Sequence, residues 1–125
     1  MPGTSELIIY QKHYDLLLYS FPIIGRFPRE QRFVLGQQIE NAMLDIGQTI
    51  VHANKLRNKK EKLYELDIAL EKLRFLIRLS KDLKMMSVSK YGHHCERIDE
   101  IGKLLGGWMK SADPVHSGAA KQGHG

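Results

Sequence analysis

A chain of 125 residues with 42% apolar and 26% charged side chains has the size and composition of one globular domain, which excludes a second core and a fibrous composition. Lys and Arg number 19 against 14 Asp and Glu, a formal +5 with a pI near 9.4, so polyanions such as nucleic acid or an anionic membrane surface are favoured as partners. A single cysteine, Cys95, excludes an internal disulfide and a Cys-paired zinc site and suits a cytoplasmic setting; the apolar runs are far shorter than the roughly 18 residues of a membrane span, and Met1 to Glu6 lack a secretory pattern.

Four stretches carry helical periodicity. In the first, Leu7, Tyr10, Tyr14, Leu17, Phe21 and Ile24 step by three and four, which predicts one apolar helical stripe. Thr4 or Ser5 serves as its N-cap, and Pro22 predicts a kink or a late end. Gly25 and Pro28 close it. The second stretch starts near Pro28 or Arg29 and is striped by Leu35, Ile39, Met43, Ile46, Ile50 and Ala53. Gly36 and Gly47 weaken this helix and admit close neighbours.

Asn54 to Lys60 reads as an exposed connection. The third stretch is striped by Leu63, Leu66, Leu70, Leu73 and Ile77, and Phe75 and Leu79 widen it toward more than one neighbour. Ser87 or Ser89 caps a fourth helix, striped by Tyr91, Cys95, Ile98, Leu105 and Met109 and flanked by Ile101, Leu104 and Trp108. Residues 111–125, rich in Gly, Ala and Ser, read as a disordered tail. The expected fold is all-α, an antiparallel up-down-up-down four-helix bundle over residues 1–110 with that tail behind it.

Catalytic and metal chemistry find little support. His93, His94 and Cys95 are adjacent, and neighbours on a helix point apart, whereas metal ligands need a spacing of three or four. His13, His52, His116 and His124 add no such pair, so neither metal nor cofactor is expected. Glu96, Asp99 and Glu100 share one turn and read as a solvated acidic face. A small helical enzyme would have to converge its polar groups on Tyr10, Tyr14, Tyr91 and Cys95.

The basic residues say more. Lys55, Arg57, Lys59, Lys60 and Lys62 crowd one loop against Glu61, a pattern that fits either a solubilising loop or a phosphate contact that weakens with salt. Arg74 and Arg78 are four apart on one helix face, and Lys81 continues that face; they either pair with Glu71 and Asp82 on the surface or meet phosphate. Gly102, Gly106 and Gly107 lie in the fourth helix, where each costs about 1 kcal/mol relative to alanine. Close approach of another helix, inside the bundle or between subunits, accounts for them, and Trp108 beside them anchors either the core or an interface.

Three runs occur in order: FPREQRFVLGQQIE (Phe27–Glu40), LRFLIRLSKDL (Leu73–Leu83) and IDEIGKLLGGWMK (Ile98–Lys110). Together they resemble the accessory variability determinant (Avd) proteins of diversity-generating retroelements, over roughly residues 7–110. The first run is also similar to the wider four-helix-bundle family encoded in intervening sequences of bacterial 23S ribosomal RNA genes, whose members follow it with Ser-Ile-Pro where this chain has Leu44-Asp45-Ile46-Gly47. A structural interaction protein of that second kind, with no transcriptase partner, is the alternative reading.

The Avd resemblance implies a non-catalytic, basic, barrel-shaped homopentamer that binds a reverse transcriptase and its template RNA during mutagenic cDNA synthesis (retrohoming). DNA or an RNA/DNA hybrid is a further possible ligand. Five copies of +5 would give about +25. Arg74 and Arg78 match the arginines of the family's third-helix run, and Gly106-Gly107-Trp108 matches its fourth-helix run. Two positions depart: Gln38 stands where the family often has arginine, and Gly92 where it often has glutamate.

Overall fold

A computed structural model describes residues 4–112 as an all-α four-helix bundle. Helix α1 spans Thr4–Gly25. Helix α2 is continuous over 29–55 and comprises Arg29–Gln31, a π-helical turn at Arg32–Gly36, and Gln37–Lys55. Helices α3 (Lys60–Asp82) and α4 (Val88–Ala112) complete the set. The side chains of Thr4 and Ser5, the expected caps, and residues 113–125 of the expected tail lie outside the described part.

Short connections force neighbouring helices to run antiparallel, and α1 packs on α2, α2 on α3, α3 on α4 and α4 back on α1. That closes a four-cornered bundle with α1 and α3 on one diagonal. The turn between α1 and α2 and the turn between α3 and α4 consequently lie at one end, and the 56–59 loop lies at the other.

The stripes of α2 and α3 are the expected ones. Leu35, Ile39, Met43, Ile46, Ile50 and Ala53 are buried, as are Leu63, Leu66, Leu70, Leu73 and Ile77. Ser80 extends the α3 stripe, its hydroxyl donating to the Leu76 carbonyl at 2.9 Å. Leu79 is half-buried and packs against the core, widening the stripe as expected, whereas Phe75 is 67% exposed.

Helix α1 is rotated relative to its expected stripe. The side facing the core is Ile9, His13, Leu16, Ser20, Ile23 and Ile24, whereas Leu7, Tyr10 and Tyr14 are exposed and Leu17 and Phe21 are only half-buried. Of the expected stripe, Ile24 alone is in the core. Both sets step by three and four, so periodicity could not separate them. The buried set holds two polar residues, His13 and Ser20, which concealed it. The helix also runs past Pro22 to Gly25. Pro22 is on the solvent face, where water can satisfy the carbonyl its missing N–H leaves free.

In α4 the core line is His94, Ile98, Ile101, Leu105 and Trp108; Tyr91, Cys95 and Met109 of the expected stripe are at its margin, half-buried. Ser87 rather than Ser89 is the cap, its hydroxyl accepting the Lys90 N–H at 3.1 Å.

Two features of the backbone had no sequence expectation. In the π turn the Gln37 N–H bonds the Arg32 carbonyl, five residues back. The turn after α3 has the Schellman pattern, with Met85 N–H bonding Ser80 O at 2.8 Å and Lys84 N–H bonding Lys81 O at 2.9 Å. Its left-handed position is filled by Lys84 at φ 65°, where a side chain costs roughly 1–2 kcal/mol relative to glycine.

Candidate nucleic-acid interface

The basic side chains collect at the two ends of the bundle. At one end the 56–59 loop and its flanks bring Lys55, Arg57, Lys59, Lys60 and Lys62 together. They divide by role. Lys59 caps α2, its ammonium donating to the Ala53 carbonyl at 2.9 Å and to those of Asn54 and Leu56. Lys62 pairs with Glu65 at 3.0 Å. Lys55, Arg57 and Lys60 are exposed and have no side-chain ion pair among the described residues, so they present three cations to solvent.

Farther along α3, Arg74 is committed within the bundle. Its guanidinium pairs with Asp99 of α4, lies 3.3 Å from the Glu71 carboxylate, and covers Gly102, where an added Cβ would come within 3.0 Å of it. Arg74 thus clamps α3 to α4, a role the sequence pattern did not indicate because Asp99 belongs to another helix. Arg78 is 74% exposed along its side chain and pairs only loosely with Asp82, at 3.7 Å. Lys81 pairs with Asp82 at 2.9 Å and stands 4.9 Å from the centre of the Tyr91 ring. Those cations hold the Asp82 carboxyl below its usual range, Lys81 most strongly.

The opposite end carries a second basic cluster that sequence reading missed. Arg26, Arg29 and Arg32 around the first turn lie at the same end as Arg78, Lys81, Lys84 and Lys90 around the turn after α3, with Glu30 and Asp82 as carboxylates at that end. Three separate segments supply it, so no local charge run announces it. Its one signal is the basic start of the FPREQR run. Between the two ends the carboxylates Asp15, Asp45, Asp67, Glu71, Glu96, Asp99 and Glu100 form a mixed belt, tied in part by Lys12–Glu100 at 3.2 Å.

The interface residues of α4 also separate. Trp108 is 1% exposed and belongs to the core of its own bundle. Gly106 and Gly107 face solvent, and a Cβ at either would meet nothing within 4 Å. Among the described residues nothing approaches them closely, so the expected close packing at Gly106 and Gly107 is not met within the described bundle.

The buried histidines and Ser20 of the core make hydrogen bonds, although His13 Nδ1 is left without a partner. His94 Nδ1 donates to the Lys90 carbonyl at 2.7 Å, which makes Nε2 the acceptor of the Ser20 hydroxyl at 2.9 Å. His13 Nε2 donates to the Met43 carbonyl at 2.7 Å. Burial pushes both imidazoles below their usual 6.5, against the raising effect of the carbonyl bonds; at His94 the charges of Arg97 and His93 lower it further. Both are therefore neutral when folded at neutral pH. The unfolded chain binds protons at these sites near pH 6.5 and the folded chain only at lower pH, so stability is lost as pH falls below about 6.5. Urea midpoints followed by circular dichroism should be lower at pH 5 than at pH 7.5, and the gap should narrow in His13→Gln. Equal midpoints at the two pH values would contradict neutral burial.

Among the described residues no three His, Cys, Asp or Glu side chains gather as a metal site, and no helix is long and apolar enough to cross a membrane. What remains is a helical bundle with basic turns at both ends, a belt of mixed charge between them and histidines used as core struts. The chain belongs to the bAvd-like family, whose sequence model matches residues 7–112, and it is an Avd-type accessory protein. No curated protein matches it.

Proposed function

We propose that this protein is the non-catalytic accessory subunit of a diversity-generating retroelement, holding template RNA against a reverse transcriptase in the cytoplasm. Membership of the bAvd-like family over nearly the whole described chain is the observation that carries this reading. The polymerase chemistry belongs to the transcriptase. This chain contributes charge and position: its basic ends displace counterions from the RNA backbone and raise the local RNA concentration at the polymerase. Assembly into a homopentamer, which the family resemblance implies, multiplies each basic end. Phosphates rather than base edges are the target, because mobile Lys and Arg side chains on turns read charge and not sequence.

Lys55, Arg57 and Lys60, the exposed cations around the 56–59 loop with no ion pair among the described residues, are the first contacts in this reading, and Arg78 and Lys81 join them from the other end. Arg74 serves the fold first, through Asp99.

Fluorescence anisotropy of a structured RNA, titrated with protein across salt, tests this. Wild type should bind with a steep salt dependence. The triple variant Lys55→Glu/Arg57→Glu/Lys60→Glu should bind far more weakly while keeping its helicity, and its log–log salt slope should be shallower by about 2–3 units. Absence of binding by wild type at low salt would remove the RNA role and leave a protein-only scaffold of the ribosomal intervening-sequence kind.

A further inference from the structure

The π-helical turn near the start of α2 lifts an aromatic ring out of the bundle. Phe33 is 62% exposed and Val34 beside it 61%, although Leu35 and Gly36 of the same turn are buried. A π turn inserts one residue into a helix, and such turns gather at functional sites. The surroundings of the ring are basic. Helical spacing places Arg29 one turn before Phe33 and Gln37 one turn after it, and all three are exposed. Arg32 adjoins the ring. Its guanidinium carbon is 5.9 Å from the ring centre, and its Nη1 donates to the Gly25 carbonyl at 3.0 Å, which holds the cation beside the ring. Arg26 lies in the preceding turn. Arg26, Arg29 and Arg32 make no ion pair among the described residues, and Glu30 is the one carboxylate between Arg26 and Gln37.

That setting selects its ligand. Three guanidinium groups attract an anion, and a flat ring among them takes a flat apolar partner on its face. A single strand of RNA supplies both, because its unpaired bases have free faces and each is flanked by phosphates. A duplex keeps its base faces inside the stack. Phe33 and Val34 alone are too small a patch to hold a protein partner, whose interface takes roughly 800 Å² from each side. An uncharged surface pressed onto them would also bury the arginines unpaired.

We infer that the π turn is a stacking platform for an unpaired base of single-stranded RNA, with Phe33 against the base and Arg29 and Arg32 on its flanking phosphates. The inference rests on the nucleic-acid reading above and adds a contact that charge alone does not supply. Stacking engages the face of a base and not its edge, so the platform selects strandedness rather than sequence. It gives this end of the bundle a means of telling an unpaired stretch of RNA from a paired one, which phosphate contacts by themselves lack.

Fluorescence anisotropy of the full chain with two labelled RNAs of equal length, an unstructured single strand and a blunt duplex, tests it. Phe33→Ala should weaken single-strand binding by about five- to a hundredfold and leave duplex binding within about twofold of wild type. Phe33→Leu keeps apolar bulk without a π face and should bind the single strand as poorly as Phe33→Ala, whereas Phe33→Tyr should bind it like wild type. Arg29→Gln should weaken both RNAs and make the single-strand salt slope shallower by about one unit. Circular dichroism and sedimentation velocity should match wild type for every variant, since both positions are exposed. Wild-type single-strand affinity in Phe33→Ala would overturn the inference and leave the charge-based reading intact. So would a parallel loss on both RNAs, full single-strand binding by Phe33→Leu, or a change of assembly in Phe33→Ala, which would make the ring a protein contact. Failure of wild type to bind either RNA would remove the nucleic-acid reading itself, and the platform with it.

Discussion

Replacing Trp108 with alanine should destabilise the bundle by about 3–5 kcal/mol, the usual range for removing a large buried aromatic side chain. Trp108 is the largest fully buried side chain and is 1% exposed. Its loss combines a transfer contribution with a cavity that four helices, each fixed by two neighbours, can close only in part. A domain of this size has about 5–15 kcal/mol of total stability, so the variant should unfold at markedly lower urea. Circular dichroism is the appropriate probe, because the substitution removes the tryptophan fluorescence. Trp108→Phe, which keeps an aromatic ring in the site, should lose much less. A loss below about 1 kcal/mol for Trp108→Ala would mean that the indole is not a core residue in solution and serves an interface instead.

The second large effect is expected at Gly36, where α2 packs tightly against the end of α1. A Cβ at Gly36 would stand 2.9 Å from Ile24 Cγ2, nearer than side-chain carbons come. Ile24 is fully buried, and the methyl is attached at the branch point of a stiff side chain, so it cannot swing aside. Overpacking of this sort costs about 1–3 kcal/mol. The better helix propensity of alanine returns about 1 kcal/mol, and Gly36→Ala should still be destabilising. Gly36→Val, larger and branched, should cost more. Ile24→Leu removes the offending methyl, so Gly36→Ala made in that background should cost less than in wild type, which a double-mutant cycle reads directly. Gly106→Ala makes the opposite case. Nothing lies within 4 Å of its added Cβ, and the variant should gain about 1 kcal/mol. If Gly36→Ala proved as stabilising as Gly106→Ala, the close crossing at Ile24 would be wrong.

The same contrast shows what a glycine in a helical pattern can and cannot reveal. Gly36, Gly47, Gly102 and Gly106 look alike in the sequence. In the fold they face a buried methyl, a buried imidazole, an arginine of the neighbouring helix and open solvent, in that order. The reason for each glycine lies on another helix or outside the chain, where local sequence carries no signal.

Much of the molecule was fixed by the sequence alone. Regular steps of three and four set four helices and the aliphatic core lines of α2 and α3, because the buried positions there are aliphatic and step regularly among polar and charged neighbours. Short connections then dictated antiparallel neighbours. The basic 55–62 segment was visible as a local run, and three ordered runs pointed to the Avd-like family. Only the tertiary structure decided which side of α1 is core, since that helix is apolar on two faces and its inner face includes His13 and Ser20. Packing alone could reveal that these polar groups find buried partners on α2 and α4. It also gave Arg74 to Asp99 and joined Arg26, Arg29 and Arg32 to Lys84 and Lys90 as a second basic end. Periodicity reports how residues space along one helix, whereas burial, ion pairing and charge clustering depend on which helices meet and how each is rotated when they do.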